Sequence, residues 1–150
     1  MTSDAVTTQA SMRRLPAIAV VVCVLVVLDI VALLFAAALH VQGVHIALGS
    51  MVFEEPQIVP AAVVEGLAAG LYAVAAYTIL SGGRGAWRMT LAAHVFAILV
   101  LLLGVFARRA GITPFIQVSQ LVMLGVFVLG LTLLLTPAAR EPMRRGRRSS

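Results

Sequence analysis

Lysine is missing from this chain and cysteine occurs once. All eleven basic residues are arginine, and charged residues of both signs together make up only 11% of the sequence. Soluble domains carry about 25%, so this scarcity excludes water as the solvent for most of the surface. The single cysteine, Cys23, sits inside an apolar run. No internal disulfide, CxxC redox pair or cysteine-based metal site can form, which rules out mechanisms resembling quinone reductases that use a thiol pair. Also missing are a Gly-rich phosphate loop, a Ser/His/Asp set, HExxH and a haem-attachment motif. No catalytic residue, metal site or cofactor is therefore assigned, and a non-enzymatic role is the favoured expectation.

Long apolar runs are what the chain has instead. Hydrophobic residues make up 61% of 150, with a mean hydropathy of +1.06. The class this implies is an all-α integral membrane protein with one domain and the lipid bilayer as its principal partner. A pI near 11.1 would also suit nucleic-acid binding, but basic residues at helix ends are what membrane topology requires, so no nucleic-acid partner is expected. Arginine in place of lysine, with abundant Ala, Val, Leu and Gly, points to a GC-rich bacterial genome and hence to a multi-pass protein of the bacterial inner (plasma) membrane.

Residues 1–14 are small and polar, end in Arg13 and Arg14, and read as a cytoplasmic tail. The four-helix bundle is expected over residues 15–137, with helices at about 15–41, 59–81, 86–107 and 113–136, and a basic cytoplasmic tail over 138–150. The first apolar run exceeds twenty residues and contains Asp29. Signal-peptide cores span about 7–15 residues, so the run is read as a retained helix, although Ala36, Ala37 and Ala38 resemble a cleavage site. Residues 42–58 form a half-apolar connector expected to lie in the interface or dip against the bundle. Pro60 suits the first turn of the second helix, and the Ser81–Gly85 stretch breaks that helix. Trp87 and Arg88 anchor the third span, and Pro137 stops the fourth.

Counting arginines sets the orientation. With both termini inside, nine face the cytoplasm: Arg13, Arg14, Arg84, Arg88 and five in the C-terminal tail. Only Arg108 and Arg109 face outward. An N-in/C-in topology satisfies the positive-inside bias.

Depth then organises the polar groups, at about 1.5 Å per residue. Asp29 lies near the middle of the first helix, where an acid costs about 2.5–3.5 kcal/mol on insertion scales. Asp29, Leu33, Ala36 and His40 share one stripe, which should face the interior. Tyr72 falls close to the depth of Asp29, and His94 comes within two turns of it, so a midplane cluster of Asp29, Tyr72 and His94 is sterically open. Glu65 sits nearer the outer face, at a depth similar to Gln117, Ser119 and Gln120, which are expected to act as its donors. His40, His45, Glu54 and Glu55 form a polar fringe at the outer mouth, with no recognised metal-site spacing. Ala62, Gly66 and Gly70 make a small-residue face expected to pack helices.

The stretch VVEGLAAGLYAVAAYTILSGGRGAWRMTLAAHVFAILV resembles the DoxX-like family of small four-helix membrane proteins. Glu65, Gly66, Gly70 and Arg84 match that family's glutamate–glycine helix and the arginine at its break. The first helix departs from the family pattern, with Asp29 and His40 where a glycine-containing pattern and a basic residue near the outer end are usual. The resemblance implies a four-span fold and, for some members, association with quinone-linked or redox membrane complexes.

Three functions are expected in order of preference. The first is a non-enzymatic bundle that binds a lipophilic small molecule or a partner membrane subunit, itself or a second protein, through its outer half. Glu65 is the central contact, Gln117 and Gln120 the donors, and Asp29, Tyr72 and His94 lie deeper. The second is a small proton-coupled transporter in which Asp29 and Glu65 alternate protonation. The third is a quinone-linked redox subunit.

Overall fold

Where no water is present, a backbone must satisfy its own hydrogen bonds, and the long apolar runs do so as helices. In the computed structural model of the chain, residues 17–55, 57–106 and 114–145 are described. The tail over 1–14, Arg108, Arg109, residues 146–150 and the side chains of Glu54, Glu55, Gln117 and Ser119 lie outside the described set. Among the described residues five helices and one hairpin follow in order: α1 Ala17–Gln42, β1 Val44–Leu48, β2 Met51–Glu55, α2 Val59–Leu80, α3 Ala86–Phe106, α4 Pro114–Leu135 and α5 Pro137–Arg145.

The first three helices are long and apolar enough to cross a membrane, with mean hydropathy over 18 residues of 3.3, 1.7 and 2.1. At about 1.5 Å per residue, each exceeds the ~30 Å hydrocarbon core. A fourth candidate span joins α4 to α5 across a bend of 69°. A third or less of each of the first three spans is buried within the chain. Leu28, Val31, Phe35, Leu67, Leu99 and Leu103 all point outward. Apolar surface on that scale is untenable in water and suited to lipid.

α1 packs most extensively on α2, then α2 on α3 and α3 on α4, while α1 also meets α4 and α5. Alanines line the buried face of α2, at Ala62, Ala68, Ala69, Ala75 and Ala76, and small side chains let helix backbones approach closely. The shared core runs from Val22 and Val26 through Leu33, Ala68 and Tyr72 to Phe127 and Leu134.

Helix ends follow from local chemistry. Pro60 lies in the first turn of α2, where no N–H bond is lost. Gly82 (φ 68°) ends the same helix in a left-handed cap. Gly82 N–H donates to Ile79 O and Gly83 N–H to Thr78 O, the paired bonds of a Schellman motif. Thr136 takes the N-cap place of α5: its hydroxyl accepts from Ala139 N–H at 3.4 Å, with Pro137 at the first helical position.

Two regions take on more structure than the sequence reading expected. The connector after α1 is an antiparallel hairpin with Leu48 opposite Met51 and His45 opposite Glu54. Its two-residue turn begins at Gly49 (φ 62°), the positive-φ position of a II′ hairpin turn. A lone two-stranded hairpin is marginal, and this one is tied at its base: Ile58 N–H donates to His40 O and Gln57 Nε2 to Val41 O, both at 2.9 Å. The start of the basic tail is the helix α5, with Ala139 and Met143 buried and Arg140, Glu141 and Arg144 exposed.

Candidate functional site

Two polar layers lie along the α1–α2 seam. Nearer the hairpin, His40 Nδ1 is 2.8 Å from Glu65 Oε2, with both side chains largely covered. His40 occupies the last turn of α1 and Glu65 the second turn of α2, so the pair spans the two helices just below the hairpin's base. The described partner of Glu65 is therefore His40. Gln120 is half-buried on α4, which packs on α3 and α1, and the Gln117 side chain lies outside the described set.

Eleven residues back along α1 and seven forward along α2 lies the second layer. Asp29, Tyr72 and His94 converge there, from three different helices, and are 3%, 0% and 1% exposed. His94 Nε2 is 3.7 Å from Asp29 Oδ2. The rings of Tyr72 and His94 meet edge to face at 4.9 Å between centroids. The Tyr72 hydroxyl faces the Asp29 carboxyl, although no hydrogen bond of standard geometry reaches Tyr72 Oη or His94 Nε2. Below the imidazole, Nδ1 donates to Thr90 O at 2.9 Å. The Thr90 hydroxyl in turn donates to Ala86 O.

α4 closes this layer with residues the sequence reading did not single out. Phe127 stacks on Tyr72 at 6.0 Å. Gly130 offers a bare backbone to the imidazole: a Cβ at that position would lie 2.4 Å from His94 Nε2. A glycine in a run of bulky apolar residues was the available signal, but its neighbour on α3 is visible only in three dimensions. Between the layers, Leu33, Ala68 and Ala69 are buried, so apolar side chains separate the pair near the hairpin from the triad at the middle.

The small-residue face of α2 divides. Ala62 is buried, as a packing residue should be. Gly66 and Gly70 are not in close packing within the chain, since a Cβ at either would meet nothing within 4 Å. They lie on the outward stripe with Val63 and Tyr77, which are exposed. A hollow of about 330 Å³ adjoins this stripe, lined by Ala37, Ala38, Val41 and Gln42 of α1 and by Val59, Ala62 and Val63 of α2.

The outer fringe also divides. His40 turns inward to Glu65, whereas His45 is exposed on β1. Among the described residues no group of three His, Cys, Asp or Glu side chains is placed to hold a metal. At the opposite end, Trp87 Nε1 donates to Leu134 O at 2.9 Å. The guanidinium carbons of Arg140 and Arg144 lie 5.2 and 5.8 Å from its ring centroid.

No protein-family model matches the chain, and comparison with curated proteins and with solved structures finds no match either.

Proposed function

We propose that the protein is a non-enzymatic four-helix bundle of the bacterial inner membrane, N-in/C-in, that binds a partner transmembrane helix along α2. The observation that carries this reading is the small-residue stripe at Gly66 and Gly70, where among the described residues a Cβ would meet nothing within 4 Å. Gly-xxx-Gly faces in lipid favour close helix association, driven by packing because lipid supplies no hydrophobic force between helices. The stripe runs into the hollow between α1 and α2, so a partner side chain or a lipophilic molecule would enter beside the pair of Glu65 and His40. The positive-inside count supports the orientation: Arg84, Arg88, Arg140 and Arg144 are all exposed at the α5 end. The likeness to DoxX-like proteins belongs to this proposal only as a shared layout, from which the first helix departs at Asp29 and His40.

Crosslinking in native membranes tests the reading. Gly66→Leu and Gly70→Leu are expected to abolish the assembly while leaving thermal unfolding of the solubilised chain unchanged, and Glu65→Gln to weaken it. An assembly that survives all three substitutions would sink the reading. So would a wild-type chain that runs as a monomer with no bound subunit or lipophile.

A second reading, a small proton-coupled transporter, is favoured by one observation, the buried pairing of Asp29 with His94. Ionisable groups within a membrane span mark proton or substrate pathways by default. Equal proton-linked flux in liposomes carrying wild type and Asp29→Asn would remove it.

A further inference from the structure

His94 lies with one ring nitrogen committed and the other facing an acid. A carbonyl oxygen only accepts, so the 2.9 Å contact with Thr90 O requires that Nδ1 carry a hydrogen. In the neutral imidazole Nε2 then carries a lone pair, and that lone pair faces Asp29 Oδ2 at 3.7 Å. An ionised carboxylate is also purely an acceptor. Two acceptors would confront each other in a layer that is closed to solvent.

The surroundings offer little relief. α2 contributes the Tyr72 hydroxyl, a single donor, and α3 contributes Thr90, whose hydroxyl is already given to Ala86 O. α4 presents Phe127 and Gly130, neither of which titrates. On α1 the nearest other titratable side chain is Cys23, and the pair of His40 and Glu65 lies beyond the buried Leu33. Arg140 and Arg144 of α5 are engaged over Trp87, two turns away on α3. Among the described residues, the one ion pair of the carboxylate is with His94. A lone charge in such a setting is costly.

One added proton resolves the conflict. On the carboxyl it gives a neutral acid facing a neutral imidazole; on Nε2 it gives an ion pair. Both arrangements are net neutral, and each puts a donor opposite an acceptor. A second proton would set two donors face to face and leave a net positive charge. Closing the gap from 3.7 Å to hydrogen-bond distance needs a movement of about 0.5–1 Å. Gly130 blocks the alternative, because the ring already rests on the α4 backbone and cannot withdraw that way.

We propose that Asp29, His94 and Tyr72 form a proton-binding site that holds one exchangeable proton between the carboxylate and Nε2, with the Tyr72 hydroxyl as third ligand. The transfer is Asp29–COO⁻ with H–Nε2⁺ of His94 going to Asp29–COOH with Nε2, with no other bond made or broken. The site stands apart from whatever the α2 stripe binds, so it survives or fails independently of the proposed partner.

The experiment uses the full-length protein in lipid bilayers, with ¹⁵N-histidine NMR for His94 and infrared difference spectroscopy for the protonated carboxyl band of Asp29. Across about pH 5–8, Nδ1 of His94 is expected to stay protonated, while the carboxyl and Nε2 populations together account for one proton. Asp29→Asn is expected to abolish the carboxyl band and move the His94 midpoint by about one pH unit or more. Tyr72→Phe is expected to keep the single proton and change its division between the two groups. An ionised Asp29 beside an unprotonated Nε2 throughout that range overturns the proposal, as does a His94 midpoint that is the same in wild type and Asp29→Asn. Should Asp29→Asn not fold, His94→Gln read on the carboxyl band decides: a displaced titration supports the site, and an unmoved one overturns it.

Discussion

His40 and Glu65 stand 25 positions apart in the chain and 2.8 Å apart in space. The hairpin makes this possible by turning the chain over so that α2 descends antiparallel to α1, with the last turn of one beside the second turn of the other. The contact closes the seam where the hairpin's base is tied by Ile58 N–H to His40 O. Removing one partner of a covered hydrogen bond costs about 1–3 kcal/mol. Glu65→Ala and His40→Ala are each expected to lower the unfolding midpoint in detergent. The double variant is expected to show a coupling of about 0.6 kcal/mol or more, the scale found for hydrogen bonds between membrane helices. Strict additivity of the two losses would show that the pair makes no net contribution.

Gly130 gives the middle layer its most exposed point of failure. Replacing a helical glycine with alanine ordinarily gains about 1 kcal/mol in helix propensity. Here the new Cβ would arrive 2.4 Å from His94 Nε2 and 2.9 Å from Cδ2 of the same ring. The imidazole is held on its other side by Tyr72 and from below by Thr90 O, so α4 must back away. Gly130→Ala is expected to destabilise the protein by about 1–3 kcal/mol, the usual scale of overpacking. It is also expected to shift the His94 ring resonances. A stabilised variant with unmoved His94 signals would show that the ring has free space after all.

Much of this architecture was legible in the residues. α2 occupies Val59–Leu80, the run that hydropathy alone delimits, because in lipid length and apolarity decide a helix almost unaided. The Asp29–Tyr72–His94 convergence was also within reach, since depth along antiparallel helices is nearly a linear coordinate. What the sequence could not supply was rotation. Equal depth placed Glu65 level with Gln117 and Gln120; among the described side chains His40 of the adjacent helix makes the contact, and α4 is not among the principal neighbours of α2. The same limit applies to Gly66 and Gly70: spacing marks a small-residue face, and only the rotation of α2 says that it looks outward. The hairpin was missed for another reason. Its half-apolar strands are too short to announce a period, and their pairing depends on a turn set by Gly49.

Trp87 of α3 fastens α5 to the end of α4. Its indole donates to Leu134 O, one of the last carbonyls of α4, which helix geometry leaves without an intrahelical donor. Arg140 and Arg144, one turn apart, both lie within 6 Å of the ring centroid, a range in which each cation–π contact contributes about 0.5–1 kcal/mol at an exposed site. Trp87→Phe keeps a ring and loses the donor; Trp87→Ala loses both. Cleavage at Arg140 and Arg144 by an arginine-specific protease is expected to be slowest in wild type, faster in Trp87→Phe and fastest in Trp87→Ala. Equal rates in all three would mean that α5 is held by Ala139 and Met143 alone.

The last prediction sets Gly66 and Gly70 against Gly130. All three are helical, so alanine brings each the same gain in propensity of about 1 kcal/mol. They differ in what the new methyl group meets: His94 at Gly130, and no atom within 4 Å at Gly66 or Gly70. In the isolated chain, Gly66→Ala and Gly70→Ala are therefore expected to leave the unfolding midpoint unchanged or raise it, the opposite sign from Gly130→Ala. In an assembly that uses the α2 stripe the same methyl groups hold the partner backbone away, so association is expected to fall as monomer stability holds. Measuring both quantities on the same variants separates the two effects. If Gly66→Ala lowered the stability of the monomer, the stripe would be packed inside the chain, and the binding surface assigned to α2 would be lost with it.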